Sequence, residues 1–326
     1  MKSLFALAIH RAEFLSADEK TTVSDMVSSA GFFRTLTVDM LSQIVGRVLR
    51  STTWDPVLAL RQAEADLRFV ERHSISVIDR FDPDYPPMLA EIHDPPFLLF
   101  VRGKMPDSGT PSVAIVGTRK PTEQALIATN ELAEGCAAAG LTVVSGLARG
   151  IDAAAHLGAL RQRGITVAVL GNGIDSVYPS SHRTLAYRIL EHGGAIVSEY
   201  PPGVPPIRYH FPARNRIISG ICRSVVVAEA PARSGALHTS EFALEQGRDL
   251  FVLAAGMHGD AGAGCRALER DGAAVIEDVR GIITDWGLAG ARPPDPASAG
   301  SGAGYRGSGT AVGRQLALEL EREIGV

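Results

Sequence analysis

The sequence has 326 residues, of which 45% are hydrophobic, and a formal net charge of −4 at pH 7. No stretch reaches the ~18 consecutive apolar residues of a membrane helix, and the three cysteines, Cys136, Cys222 and Cys265, form no CxxC pair. These features argue against a membrane span and against a structural zinc site. They favour a reducing compartment, so we expect a cytoplasmic protein without a metal.

Positive charge is concentrated in the middle of the chain. Residues 111–223 contain 11 Lys and Arg against 7 Asp and Glu, whereas residues 1–110 contain 12 against 15 and residues 224–326 contain 9 against 14. A phosphate backbone responds to local charge rather than to the total, so the middle segment is the candidate for binding an anionic partner. The alternative is a chance fluctuation of a few charges.

The first 111 residues predict a helical start followed by a connector. In residues 1–72, apolar side chains recur at helical spacing, as in Met40, Leu41 and Ile44, and a small helical accessory domain is expected. Residues 73–111 alternate short apolar runs with proline pairs, which predicts a connector with leading strands.

Residues 112–287 predict a doubly wound parallel sheet of the α/β class. Apolar runs at 113–116, 142–145, 167–170 and 224–229 each lead into a Gly-containing turn, and helical stretches separate them. Ligands of such sheets bind at the carboxyl ends of the strands. There, glycine lets the backbone approach an anion and helix N-termini offer free N–H groups. We therefore expect these turns to form a phosphate-binding surface.

Residues 288–326 predict a flexible linker and a short terminal helix. Gly, Ala, Ser and Pro dominate residues 289–309, and the final stretch has apolar side chains at Leu316, Leu318 and Leu320. We expect this segment to be dispensable for folding. The alternative is that the leucines dock on the core or on a second subunit.

Several charged residues near the turns admit two interpretations. Arg119 is either the arm of a phosphate cradle or a solvated residue of an ordinary turn. Asp152 and His156 are four residues apart and share a helix face. Asp152 either caps the helix or orients His156 as a general base. We favour the cap because no plausible nucleophile and acid accompany the two residues. Arg183 lies in the first turn of a helix, where a cation opposes the helix dipole, and this favours anion binding.

Two arginines flank an asparagine in the segment Arg214-Asn215-Arg216. We expect one cation to reach the phosphate-binding surface and the other to pair with Glu199 or Glu229, which end apolar strands and need a partner if buried. Neither a P-loop motif nor a complete G-x-G-x-x-G followed by a ribose-binding acid occurs. The sequence therefore does not support a P-loop nucleotidase or a dinucleotide enzyme.

The motifs form one ordered set: Gly117-Thr118-Arg119, Ser145-Gly146-Leu147-Ala148-Arg149-Gly150-Ile151-Asp152, Leu170-Gly171-Asn172-Gly173-Ile174-Asp175, Tyr178-Pro179, Phe211-Pro212-Ala213-Arg214-Asn215-Arg216 and Ser234-Gly235. This set, which extends over about residues 80–280, resembles the DNA-processing protein A family. The winged-helix domain that many members carry at the C-terminus has no counterpart in the residues that follow.

The resemblance implies an extended Rossmann-like core, preceded by the small helical domain, that binds single-stranded DNA. It further implies a homodimer that protects incoming DNA and loads a RecA-type recombinase onto the strand during natural transformation, without catalysis and without a cofactor. The candidate DNA-binding residues are Gly117, Thr118, Arg119, Ser145, Gly146, Arg149, Gly150, Gly171, Gly173, Arg183, Arg214, Asn215, Ser234 and Gly235. Because aromatic residues are only 6% of the chain, we expect little base stacking.

The rival hypothesis is an enzyme of a related Rossmann-like group that cleaves the N-glycosidic bond of a nucleoside monophosphate, or a small-nucleotide sensor with the same pocket. That group uses a Pro-Gly-Gly-x-Gly-Thr loop followed by a glutamate. This chain has only Arg233-Ser234-Gly235-Ala236, with Glu241 further along.

Overall fold

The computed structural model describes residues 2–50, 53–288, 318–320 and 322. The chain begins with helices α1 (Lys2–His10), α2 (Ala17–Met26), α3 (Ala30–Arg34), α4 (Val38–Val45) and α5 (Pro56–Arg72). A side-chain oxygen caps the start of α2, α3, α4 and α5, because Ser16, Ser29, Thr37 and Asp55 each accept a first-turn N–H. These caps explain where the short helices begin.

The described strands form one mixed sheet. They are β1 (Ser76–Asp79), β2 (Leu98–Gly103), β3 (Ser112–Gly117), β4 (Thr142–Ser145), β5 (Thr166–Leu170), β6 (Ala195–Ser198), β7 (Ser224–Glu229), β8 (Asp249–Leu253) and β9 (Ala274–Ile276). Their order is β1-β2-β6-β5-β4-β3-β7-β8-β9. Only the β1–β2 and β2–β6 pairs are antiparallel among these strands.

The helices that connect the strands along the chain pack on the two faces of the sheet. They are α6 (Pro87–Ala90), α7 (Glu123–Ala138), α8 (Ile151–Arg161), α9 (Arg183–Glu191), α10 (His210–Ile221), α11 (Leu237–Glu245), α12 (Ala263–Arg270) and α13 (Val279–Asp285). Along β3, Val113 and Ile115 belong to one apolar cluster, while Ala114 and Val116 belong to another. Both faces of the sheet are therefore buried, as parallel strands require, and the predicted α/β doubly wound fold is confirmed.

The direction of the chain reverses at the centre of the sheet. From β3 the chain proceeds to β4, β5 and β6 on one side, whereas β7, β8 and β9 lie on the other side of β3. The β3–β7 pair is thus the topological switch point, where adjacent loops diverge and leave a crevice at the carboxyl ends of the strands.

An ion cluster joins the connector, the sheet and α10. The Arg216 guanidinium donates two hydrogen bonds to the Glu199 carboxylate, at 2.8 and 2.9 Å, and Nε donates to Asp94 at 3.0 Å. Of the two predicted partners, Glu199 is thus the one that Arg216 binds. Glu229 instead accepts hydrogen bonds from the backbone N and Oγ1 of Thr122, both at 2.7 Å.

The helical start of the chain packs directly on the sheet. His10 on α1 donates from Nε2 to the backbone oxygen of Glu199 at 2.8 Å, and its ring stacks on Phe97. Burial lowers the pKa of His10 to about 3. The ring is therefore neutral at physiological pH and acts as a fixed hydrogen-bond donor between α1 and the end of β6.

The C-terminal residues that the structure describes are not all exposed. Residues 318–320 are helical, and Leu320 is fully buried in the apolar cluster that also contains Phe5, Leu60 and Leu185. Leu318 is 52% exposed. Of the two interpretations of the final leucines, docking on the core is the one that the Leu320 burial favours. The predicted linker at 289–309, like Leu316, lies outside the described residues.

Candidate nucleic-acid interface

A cleft of about 970 Å³ opens at the topological switch point. We call this region the cleft. Its walls are the loops after β3, β4, β5, β6 and β7 together with α10 and the start of α11. A neighbouring pocket of about 470 Å³ shares Arg119, Tyr178, Phe211 and Arg214 with it and extends to Arg149. Residues from each predicted turn or the loop that follows it therefore converge on one concave surface, although Gly150, Gly171 and Gly173 line neither pocket.

Cations dominate the charge of this surface. The two pockets are lined by five exposed basic side chains: Arg119, Lys120, Arg149, Arg208 and Arg233. In the part of the chain that the structure describes, none of the five forms an ion pair with a carboxylate. Their charges are not neutralised locally, so the cleft presents a positive field to an anionic ligand.

Asp152 lines the cleft, and its carboxylate accepts hydrogen bonds from backbone N–H groups. Its carboxylate accepts hydrogen bonds from the N–H groups of Gly146, at 3.1 Å, and Ala148, at 3.3 Å, and so closes the turn between β4 and α8. Burial raises the pKa of Asp152, with Arg214 opposing the shift. Asp152 therefore has a structural role, but the expected helix cap is wrong: Gly150 is the N-cap of α8 without a side-chain cap hydrogen bond, and the N–H groups that Asp152 binds precede the helix.

His156 lies away from the cleft and is fully buried. The Thr166 hydroxyl donates to the carbonyl of Val143, at 2.8 Å, so the same oxygen accepts from His156 Nδ1, at 2.7 Å. Burial lowers the pKa of His156 to about 3. None of its hydrogen bonds involves Asp152, so the two residues do not form the base and its orienting carboxylate.

Most of the predicted glycines serve close packing. A Cβ at Gly146 would lie 2.4 Å from Nη1 of Arg214, and Gly150 has φ +74° with a would-be Cβ 2.5 Å from the Thr118 carbonyl oxygen. Similar contacts below 3.0 Å surround Gly117, Gly171 and Gly173. Gly235, in contrast, borders open space, because a Cβ added there would meet nothing within 4 Å. The absence of side chains thus shapes the cleft, and direct phosphate approach stays a prediction.

Arg214 is the buried floor of the cleft. Its Nη1 donates to the carbonyl oxygens of Gly146, at 2.8 Å, and Val169, which ties the β4 turn to the end of β5. Burial lowers the pKa of Arg214 to about 10, while Asp152 opposes the shift. Its guanidinium is committed to the backbone, so Arg214 positions the cleft more than it reaches out of it.

The remaining predicted residues occupy three settings. Ser145 is buried and donates from Oγ to the Ile115 carbonyl at 2.7 Å. Thr118, Asn215 and Ser234 line the cleft and are half-buried. Arg183 is exposed at the first residue of α9 and does not line either pocket.

Two aromatic rings in the cleft were not among the predicted site residues. Tyr178 and Phe211 have ring centroids 5.5 Å apart, and the Arg119 guanidinium lies 5.6 Å from the Phe211 centroid. Tyr178 is 46% exposed. The low aromatic content of the whole chain concealed this local pair, although both residues belong to motifs that the sequence displays as Tyr178-Pro179 and Phe211-Pro212. Lys120, Arg208 and Arg233 were also missed.

The sequence profile of the DNA recombination-mediator protein A family matches residues 76–287. The chain belongs to this family. It is 40% identical to the DNA processing protein DprA of Streptococcus pneumoniae over 224 residues, which cover 69% of this chain and 78% of that protein. It is also 40% identical to the protein Smf of Escherichia coli over 223 residues, 68% of this chain and 60% of that protein.

Solved structures of relatives have the same architecture. The crystal structure of DNA processing protein A from Streptococcus pneumoniae superposes with a TM-score of 0.69 at 32% identity and covers 85% of this chain and 95% of its own. DNA processing protein A of Helicobacter pylori, whose single-stranded DNA binding mode has been studied structurally, gives a TM-score of 0.58 at 28% identity over 66% of this chain and 96% of its own.

Proposed function

We propose that this chain binds single-stranded DNA in the cleft and acts there as a mediator of DNA recombination. The observation that carries the proposal is the group of five exposed cations without ion-pair partners, among the described residues, at the switch point. Phosphates are the anions that such a surface attracts in a nucleic acid. The binding mode of the Helicobacter pylori relative supports the same ligand for this member of the family.

The cleft combines two kinds of contact. Arg119 and Arg233 follow β3 and β7 on opposite sides of the switch point and bind phosphates, while the Tyr178 and Phe211 rings offer apolar faces to bases. Stacking on a π-face tolerates any base, so we propose preference for single strands over duplex with little dependence on sequence. A duplex keeps its bases stacked inside and cannot use the rings.

The wider role of the chain is proposed from its family. We infer that it forms a homodimer, protects incoming DNA and loads a RecA-type recombinase onto the strand during natural transformation, in the cytoplasm and without catalysis. The thiols of Cys136, Cys222 and Cys265 are all buried and free, which fits a reducing compartment. Among the described helices, none has the length and apolar character needed to cross a bilayer.

The carboxylates near the cleft bear on the rival hypothesis of nucleotide hydrolysis. Both oxygens of Glu229 accept a hydrogen bond from Thr122, whereas Asp152 accepts the N–H groups of Gly146 and Ala148 through Oδ2 alone. A general base needs a free oxygen within reach of the attacked proton, so Glu229 does not fit that role. Glu241 on α11 is exposed and lies 3.0 Å from His238 Nδ1. We favour a binding protein over an enzyme because five exposed cations line the two pockets.

Fluorescence anisotropy with labelled oligo-dT tests the proposal. The wild-type chain is compared with Arg119→Ala and Arg233→Ala, alone and combined, and with Arg161→Ala as the matched control. Arg161 ends α8 at the opposite edge of the sheet and pairs with Glu134 at 3.4 Å. We expect each cleft variant to weaken binding while its thermal midpoint stays near that of the wild type, because exposed side chains contribute about 0.5 kcal/mol or less to stability.

Two results would contradict the proposed function. One is equal affinity of the wild type and the Arg119/Arg233 double variant for oligo-dT. The other is release of free base when the purified chain is incubated with nucleoside monophosphates, together with the absence of oligo-dT binding. The second result would assign the cleft to the rival enzyme.

A further inference from the structure

One edge of the Arg214 guanidinium is not used by the fold. Nη1 donates to the carbonyl oxygens of Gly146 and Val169. Nε, in contrast, is buried and has no hydrogen-bond partner among the described residues, and Nη2 donates to none of them either. Nε and Nη2 together form the edge of a guanidinium that pairs side-on with two oxygens of a carboxylate or a phosphate. The donor pair suited to an oxyanion is therefore the one that stays unpaired.

This unpaired edge belongs to the floor of the cleft. Arg214 is 4% exposed and lines both the cleft and the neighbouring pocket. The guanidinium lies flat against Gly146, where an added Cβ would meet Nη2 at 2.5 Å, so only glycine leaves room for it. A buried charged donor without an acceptor is costly to the fold. Its position at the wall of a cleft therefore points to a ligand that supplies the acceptor.

The positive charge of the floor is not balanced by its neighbours. Asp152 is the one acidic side chain among the described lining residues of the two pockets. It forms no ion pair with Arg214 in the described part of the chain, and its Oδ2 already accepts two backbone N–H groups. Burial lowers the pKa of Arg214, Asp152 opposes this shift, and the nearby Arg119 adds to it. Two cations thus face one carboxylate, which favours a ligand with more than one negative charge.

A phosphomonoester has the chemistry that this floor lacks. It carries a charge of about −1.5 to −2 at pH 7 and three acceptor oxygens, whereas a phosphodiester within a strand carries one charge and needs room for the chain on both sides. The neighbouring pocket of about 470 Å³ lies within the range of small-molecule sites. The Tyr178 and Phe211 rings at its wall offer apolar faces to a base.

We propose that the floor of the cleft binds a phosphomonoester through Nε and Nη2 of Arg214, with Arg119 as the second cation. Two sources carry this group, a free nucleoside monophosphate and the phosphorylated end of a DNA strand. The inference rests on the proposed function for the strand end, whereas for the free nucleotide it stands independently. A free nucleotide on the floor competes with the strand for the cleft, so the site makes DNA binding sensitive to nucleotide concentration.

Titration calorimetry of the full chain with two pairs of ligands tests the inference. The first pair is thymidine 5′-monophosphate and thymidine, and the second is oligo-dT of about 6 nucleotides, near the size of one site, with and without a terminal phosphate at the 5′ or the 3′ end. We expect the phosphorylated member of a pair to bind at least about tenfold tighter, the equivalent of one charge-assisted hydrogen bond. A gain in the first pair assigns the site to free nucleotides, and a gain in the second assigns it to strand ends.

Two variants test the role of the guanidinium edge. Arg214→Lys keeps the charge but has no planar edge, so we expect the preference for the phosphorylated ligand to fall below about threefold. Arg208→Ala is the matched control, because Arg208 is an exposed cation that lines the cleft. It is expected to weaken oligonucleotide binding and to keep the phosphate preference of the wild type. Thermal melting shows whether Arg214→Lys folds, and the ligand pairs on the wild type decide the question if it does not.

The outcomes separate this inference from the proposed function. Equal affinities within both pairs would overturn the phosphomonoester site, and DNA binding by the cleft would stand if the unphosphorylated oligo-dT still binds. A folded Arg214→Lys variant with the preference of the wild type would also overturn the site. If thymidine 5′-monophosphate binds tightly while no oligo-dT does, the site stands and the proposed function fails.

Discussion

Removal of Arg216 is the sharpest test of what holds α10 in place. The guanidinium is 11% exposed and binds Glu199, whose side chain is 19% exposed, whereas Asp94 is 62% exposed. In Arg216→Ala, water can solvate Asp94 again, but Glu199 is left as a mostly buried charge without its partner. Breaking a buried pair in this way costs about 3–5 kcal/mol. For a chain of this size the thermal midpoint is expected to fall by roughly 10 °C.

Urea and thermal unfolding of three variants measure this cost. Arg216→Ala is compared with Arg216→Ala/Glu199→Gln, which removes the stranded charge and is expected to recover part of the loss. Lys104→Ala serves as the control, because the Lys104–Asp107 pair has side chains 80% and 81% exposed, and exposed pairs contribute little. A loss below about 1 kcal/mol for Arg216→Ala would refute the reasoning, since that is the range of a solvated pair.

Three further outcomes are expected from stability measurements. Leu320→Asp should lower the thermal midpoint by several degrees and Leu318→Asp should not, because only the first of these leucines is buried; an unchanged midpoint for Leu320→Asp would show that the C-terminal segment is dispensable for folding. The His156 imidazole has a pKa of about 3 in the fold and about 6.5 when unfolded, so the free energy of unfolding should fall as pH drops below 6.5. His156→Gln should remove about 2 kcal/mol of the fall between pH 6.5 and pH 4.5, and an unchanged pH profile would contradict the neutral buried ring. Gly146→Ala should cost about 1–3 kcal/mol because its Cβ would meet a guanidinium at 2.4 Å, while Gly235→Ala, with open space around it, should stay near the wild type in melting experiments.

The sheet could be predicted well from the sequence because each strand is a short apolar run that neighbouring residues alone identify. Apolar runs such as residues 113–116 are buried on both faces, and each leads into the turn that a parallel topology brings to one edge. The position of the cleft follows from the same logic. What the sequence could not reveal is the strand order, and therefore that the β3–β7 pair marks the switch point.

Individual site residues were harder to predict than the site itself. Arg214 and Arg119 have the same charge, yet one is buried against carbonyl oxygens and the other is exposed over Phe211. That difference depends on helix rotation and on the missing side chain at Gly146, which sequence spacing does not encode. The Tyr178–Phe211 pair joins residues 33 positions apart, and Leu320 belongs to the same apolar cluster as Phe5 of α1, although almost the whole chain separates them.

The salt dependence of oligo-dT binding tests the central claim most directly. If the exposed cations of the cleft neutralise phosphates, the logarithm of the binding constant should fall linearly with the logarithm of salt concentration, with a slope of about −0.7 for each phosphate contacted on a single strand. The Arg119→Ala/Arg233→Ala variant should show a slope shallower by about 1.4, because two such contacts are removed. A wild-type binding curve that does not change between low and moderate salt would contradict the account.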